Sequence, residues 1–122
     1  MMNKSTINYD DVSDTLYISF TPGEKGTGVE LNDHLLLRVN KSEKRAIGLT
    51  IFEYSVLSQR TEAGLRSVPL TGLASMSDKA REMVLTILQM EPVSQFLRLS
   101  VYAPSVTELI PITSIEPLPI PA

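Results

Sequence analysis

Between Ile7 and Phe52, apolar and polar residues alternate with a period of two in several short runs, each bounded by polar or glycine-rich breaks. In the clearest run Leu16, Ile18 and Phe20 fall on one face while Thr15, Tyr17 and Ser19 fall on the other, the signature of a half-buried strand. A shorter strand over 7–9 precedes it across the polar stretch Asp10 to Asp14, so the pair predicts a compact hairpin. From Thr21 to Gly28 one proline and three glycines mark a loop, which is flexible unless something holds it. Three more strands follow over 29–32, 35–39 and 46–52. The second places Leu35, Leu37 and Val39 on one face, and the third does the same with Ile47, Leu49 and Ile51. Turns at Asp33-His34 and 40–45 are short, and parallel neighbours would need crossovers of a dozen residues or more, so a meander is expected.

Over 58–75 the periodicity disappears, and Gly64, Pro69 and Gly72 predict a surface connection. The pattern then changes to a helical one over 77–89, where Ala80, Met83, Val84, Ile87 and Leu88 recur at i, i+3, i+4 and i+7. Ser75 or Ser77 can cap its start, Asp78 suits the first turn, and Pro92 stops it. Met76, Met83 and Met90 read as core filler around this helix. Strands over 96–102 and 106–110 close the pattern within a strand region spanning 96–113. Pro104, Pro111, Pro117, Pro119 and Pro121 crowd the last 19 residues, so 114–122 is expected to be extended or polyproline-like. The fold class is therefore α+β: a mostly antiparallel sheet of about six strands with one helix in the C-terminal half packed on one face.

Composition narrows this picture without redirecting it. The 122 residues predict a single domain, 1–122, able to bury roughly two thirds of the surface of the unfolded chain. Hydrophobic residues make up 43% and charged residues 20%, which excludes wholesale disorder. Eleven basic against fourteen acidic residues give a net charge of −3 with no basic patch, so no nucleic-acid partner is expected. Without cysteine there is no disulfide, thiolate metal site or cysteine nucleophile. The first residues carry no apolar leader and no run reaches membrane-spanning length, so no membrane partner and a cytoplasmic location are expected.

The pattern Tyr9-Asp10, Asp14, Leu16-Tyr17-Ile18, Val29-Glu30-Leu31, Leu35 to Leu37, Ile47-Gly48-Leu49 and Ile51, closing at Ser55, resembles the small bacterial proteins grouped as DUF2283. The resemblance covers about residues 7–57 and implies an antiparallel sheet domain with no established activity. The chain departs from it at Arg38 and Asn40, where the family often carries acids, and at Thr50, where it often carries glutamate.

Few residues suggest chemistry. Asp10, Asp11 and Asp14 form the densest acid cluster and are the weak candidates for a cation, but aspartates beside turns cap their own backbone and the EF-hand spacing is missing, so no metal is expected. His34 is the sole histidine; one histidine with no cysteine falls short of zinc ligation, no Gly-x-Ser-x-Gly elbow accompanies it, and a solvent-facing turn residue is expected. Gly23, Gly26 and Gly28 lack the context of a phosphate loop, so no cofactor is expected. Glu53, beside Tyr54 and Ser55 at a strand end, could do acid and base work if it met an acid of the 10–14 loop, though a structural role is the plainer reading.

With no catalytic constellation, the expectation is a non-enzymatic protein-interaction or oligomerisation module. From Pro92 to Ala122 only Arg98, Glu108 and Glu116 are charged, which predicts an apolar surface in need of a cover. The contact residues expected are Phe96, Tyr102, Leu109 and Ile112, with a second copy of the chain as the expected partner and another protein as a further one. The alternatives are a small ligand-binding protein or enzyme with a pocket between the sheet, the helix and the 58–75 connection, or an antitoxin-like partner of a small toxin.

Overall fold

A computed structural model describes residues 5–62 and 64–116. Two compact units divide the chain, Met1–Tyr54 and Ser55–Ala122.

The first unit is a five-stranded antiparallel sheet made from β1 (Thr6–Asp10), β2 (Thr15–Ser19), β3 (Thr27–Asn32), β4 (Leu35–Asn40) and β5 (Arg45–Phe52). The alternation places Leu16, Ile18, Leu35, Leu37, Val39, Leu49 and Ile51 in the core, each no more than 3% exposed. At roughly 1.5 to 3 kcal/mol for each large apolar side chain taken out of water, this face is what holds the sheet together. Strand order differs from a simple meander, being β1-β2-β5-β4-β3. Thr21 to Gly26 carries the chain from β2 to the far edge, and β5 returns to pair with β2, setting Leu16 opposite Ile51 and Ile18 opposite Leu49. Central β5 is consequently buried on both faces from Ala46 to Ile51.

The 21–26 loop is fastened at both ends of its path. Glu24 accepts hydrogen bonds from Asn40 Nδ2 at 3.0 Å and from Arg45 Nη2 at 2.8 Å, while Asn40 Oδ1 accepts from the Glu43 amide of the next turn. Asn40 first and Arg45 second hold the Glu24 carboxyl below its ordinary range. Gly26 lies so close to Val39 O and Ile47 Cδ1, 2.5 Å from where a Cβ would stand, that no side chain fits there.

In the second unit the expected helix is α2 (Asp78–Gln89), following the one-turn α1 (Tyr54–Leu57). Ser77 caps α2 by accepting from the Ala80 amide, and Val84, Ile87 and Leu88 are its buried stripe. A three-stranded sheet of order β8-β10-β9 accompanies it, formed by β8 (Ser67–Pro69), β9 (Leu97–Ser105) and β10 (Glu108–Ile115). The class is therefore α+β and mostly antiparallel as expected, with the strands in separate sheets. The aperiodic 58–75 stretch also holds more structure than expected: β6 (Arg60–Thr61) pairs with β7 (Gly64–Leu65), β8 joins the sheet, and Thr71–Ser75 makes a 3-10 turn. These segments are too short to display a period. Strand β10 runs through Ser114 to Ile115 because Pro111 is placed where its missing N–H is harmless. Its carbonyl accepts from the Leu70 amide on the side facing away from β9, so the β9 ladder loses no donor. The rest of the expected proline-rich extension, 117–122, lies outside the described residues.

Candidate functional site

Strands β9 and β10 form a long hairpin whose two halves differ in kind. At its base Leu97, Thr113 and Ile115 are buried at 1 to 2% exposure. There Thr113 Oγ1 donates to Arg98 O and the Arg98 guanidinium meets Glu116 at 2.7 Å. Beyond Ser100 the alternation ends: every residue from Val101 to Leu109 is exposed, including Val101 and Tyr102 at 55%, Leu109 at 70% and Val106 at the tip. A ribbon that buries neither face is an arm, and its solvent-exposed side chains are mainly apolar. Residues 99–107 carry no charge, and Glu108 is the only charged residue between Arg98 and Glu116.

The arm also offers main-chain groups. Among the described residues strand β9 ends its sheet, with β10 as its one neighbour. In the register Pro111 lies opposite Val101, and since Pro111 faces away from β9, Val101 faces away from β10. The same parity turns the N–H and C=O of Leu99 outward, giving an uncapped edge beside an apolar surface. A register shift between Glu108 and Ile110 bends the arm near its tip, where the Thr107 amide donates to Ser105 Oγ.

Of the four contact residues expected from sequence, Tyr102 and Leu109 lie on this arm and Ile112 is half-buried near its base. Phe96 does not join them. Its amide closes the 3-10 turn Val93–Gln95 onto Val93 O, and the ring is 7% exposed, so it belongs to the core.

The residues weighed for chemistry gather at one end of the five-stranded sheet. Asp10 accepts from the Val12 amide and the Ser13 hydroxyl, the bonds of a turn-capping aspartate, and Val12 is fully exposed. Asp14 stands at φ +54° and accepts from Tyr9 Oη at 2.7 Å. That bond, more than the neighbouring charges, pushes the Tyr9 phenol up to about 12. Among the described residues no three of histidine, aspartate and glutamate are arranged to hold a metal ion. The structure gives Glu53 a partner the sequence did not suggest. Instead of an acid of the 10–14 loop, it is His34, whose Nδ1 lies 3.0 Å from Glu53 Oε1. That nitrogen is shielded from water, and the approach lacks the alignment of a hydrogen bond. Beside the pair a shallow cavity of about 210 Å³ is lined by Glu30, Asn32, Asp33, Leu35, Leu36 and Phe52. It is smaller than a typical ligand pocket.

Residues 6–55 match the family model described as "Protein of unknown function (DUF2283)", a stretch that corresponds to the five-stranded sheet and covers under half of the chain. No curated protein and no solved structure matches the chain. No helix among the described residues is long and apolar enough to cross a membrane.

Proposed function

We propose that this protein is a non-enzymatic interaction module that self-associates through the β9–β10 arm. The observation that carries this reading is the exposure of both faces of the arm from Val101 to Leu109. Intramolecular packing leaves the apolar side chains of that segment in water, whereas a partner would remove them at about 25 cal/mol per Å². A second copy of the chain fits best, for two reasons. The chain as a whole carries net charge −3, so most self-contacts bring like charges together, but residues 99–107 can meet their own copy with none. An antiparallel edge such as β9 can also pair with itself about a two-fold axis, which closes the assembly at a dimer.

Light scattering at micromolar concentration tests this on the full chain and on a variant carrying Val101→Lys, Tyr102→Lys and Leu109→Lys. All three positions are exposed, so the variant should keep its fold by circular dichroism. A wild-type dimer and a monomeric variant are expected. A monomeric wild type would end the self-association reading, and a variant that remains dimeric would remove the arm from it.

A further inference from the structure

The face of the five-stranded sheet opposite its core is not uniform. The register sets Thr6, Ser19, Gly48, Arg38 and Gly28 in one row across all five strands. In the next row stand Asn8, Tyr17, Thr50, Leu36 and Glu30. With a hydrogen atom in place of a side chain at Gly48, the central strand has no wall between Ser19 and Arg38, and a cavity of about 110 Å³ opens there. Its polar lining is Thr6, Asn8, Tyr17, Ser19, Arg38 and Thr50. Gly48 could not be replaced freely, since a Cβ would stand 3.2 Å from Ile18 O. Directly beside it the β4–β5 register shifts between Arg38 and Val39, a bulge of the kind that re-aims side chains.

The lining is rich in donors, and its one charged side chain is cationic. Each of Thr6, Ser19, Tyr17, Thr50 and Asn8 can donate a hydrogen bond, Arg38 presents a guanidinium fork, and no carboxylate lines the cavity. Arg45, Arg81 and Arg98 each hold a carboxylate. Arg38 forms no ion pair among the described residues, and Glu30, one row along on β3, does not reach it. A lone guanidinium beside a ring of hydroxyls and an amide matches an oxyanion in charge and in geometry. The volume is that of a few water molecules, enough for a carboxylate or phosphate head but not for a whole metabolite. The half-exposed ring of Tyr17 stands at the rim, where the remainder of a larger ligand would lie.

We infer that the Arg38–Gly48 cavity is a binding site for the oxyanion head, carboxylate or phosphate, of a small ligand. The site stands apart from the β9–β10 arm and does not depend on the self-association reading. It is tested by following backbone amide chemical shifts of the full chain during titration with inorganic phosphate, with acetate, and with chloride at matched ionic strength. Saturable shifts centred on Tyr17, Ser19, Gly48 and Thr50 with phosphate or acetate, and none with chloride, are expected. Whichever of the two anions binds tighter identifies the head group. In Arg38→Gln, an exposed substitution whose remaining spectrum reports an intact fold, affinity should fall by at least about tenfold, the loss of one charge-assisted contact. No saturation with either oxyanion, an equal response to chloride, or undiminished binding by Arg38→Gln would overturn the assignment.

Discussion

His34 Nδ1 and Glu53 Oε1 lie 3.0 Å apart just beyond the paired ends of β4 and β5, where the Phe52 amide donates to His34 O. Glu53 reaches that contact with φ +56°, in the left-handed region that a side chain resists at about 1 to 2 kcal/mol. Its carboxylate is mostly exposed, so the contact returns about 1 kcal/mol at most. Glu53→Gly should therefore leave stability unchanged or raise it by up to about 1 kcal/mol, while Glu53→Ala, which keeps the strain and drops the contact, should lower it. Denaturant midpoints decide between them. A glycine variant weaker than the wild type would show that the contact outweighs the backbone strain, and one weaker than the alanine variant would show that no strain is relieved. Lys44, at φ +52° in the β4–β5 turn and in no ion pair among the described residues, provides the control, and Lys44→Gly should stabilise.

Tyr9 predicts an alkaline limit. Its phenol is pushed up to about 12 chiefly by donation to Asp14, so the folded state favours the protonated form. The stability it contributes is complete below its ordinary value near 10 and is lost as pH rises from there toward about 12. Tyr9 should ionise late in an alkaline absorbance titration, and that late step should vanish in Tyr9→Phe. Its persistence in the variant would assign it elsewhere.

Glu24 predicts an acid limit of the opposite sign. Because the Asn40 and Arg45 hydrogen bonds lower its pKa, its contribution is present above the ordinary carboxylate range and is lost as pH falls through the depressed value. Stability of the wild type should fall faster than that of Glu24→Gln on acidification from about pH 6 to about pH 3. Parallel curves would mean that the carboxylate does not fasten the loop in solution.

The two faces of β2 predict contrasting losses. Ile18, 3% exposed, should cost about 2 to 5 kcal/mol on truncation to alanine, whereas Ser19→Ala, on the opposite face, should stay within about 0.5 kcal/mol. Equal shifts in chemical denaturation would contradict the register of this strand.

In the first sheet, strands such as β2 and β4 were legible because each buries one face, so Leu35, Leu37 and Val39 announce their orientation in the sequence. Their order was not, since alternation says nothing about partners: Leu16 is as compatible with a neighbour in β3 as with Ile51 of β5. Helix α2 was readable to within a residue, because the Ser77 cap and the 3.6-residue stripe are both local. The poverty of charge after Pro92 pointed to a stretch that includes the exposed β9–β10 arm, and only the packing in three dimensions separated buried Phe96 from exposed Tyr102. The His34–Glu53 contact had a signal that could have been used. Once 35–39 and 46–52 are drawn as a hairpin with Leu35 opposite Ile51, the residues just past its open end must meet.

The return of β5 to the side of β2 also fixes an order of assembly. The β1–β2 hairpin and the β3-β4-β5 run each form from contacts close in sequence, but the β2–β5 seam joins residues as distant as Leu16 and Ile51. The entropy of closing that chain segment is lost before the seam's own contacts offset it, so the two halves form first and the seam closes last. Trimming Ile18, which lies opposite Leu49 across the seam and opposite only half-exposed Ile7 within its own hairpin, should then speed unfolding far more than it slows refolding, and a stopped-flow chevron in which the refolding arm moved instead would reverse the order. The Thr21 to Gly26 stretch thus acts as a tether during folding, setting how often the halves meet, and its Glu24 clasp can engage only after Asn40 and Arg45 are in place.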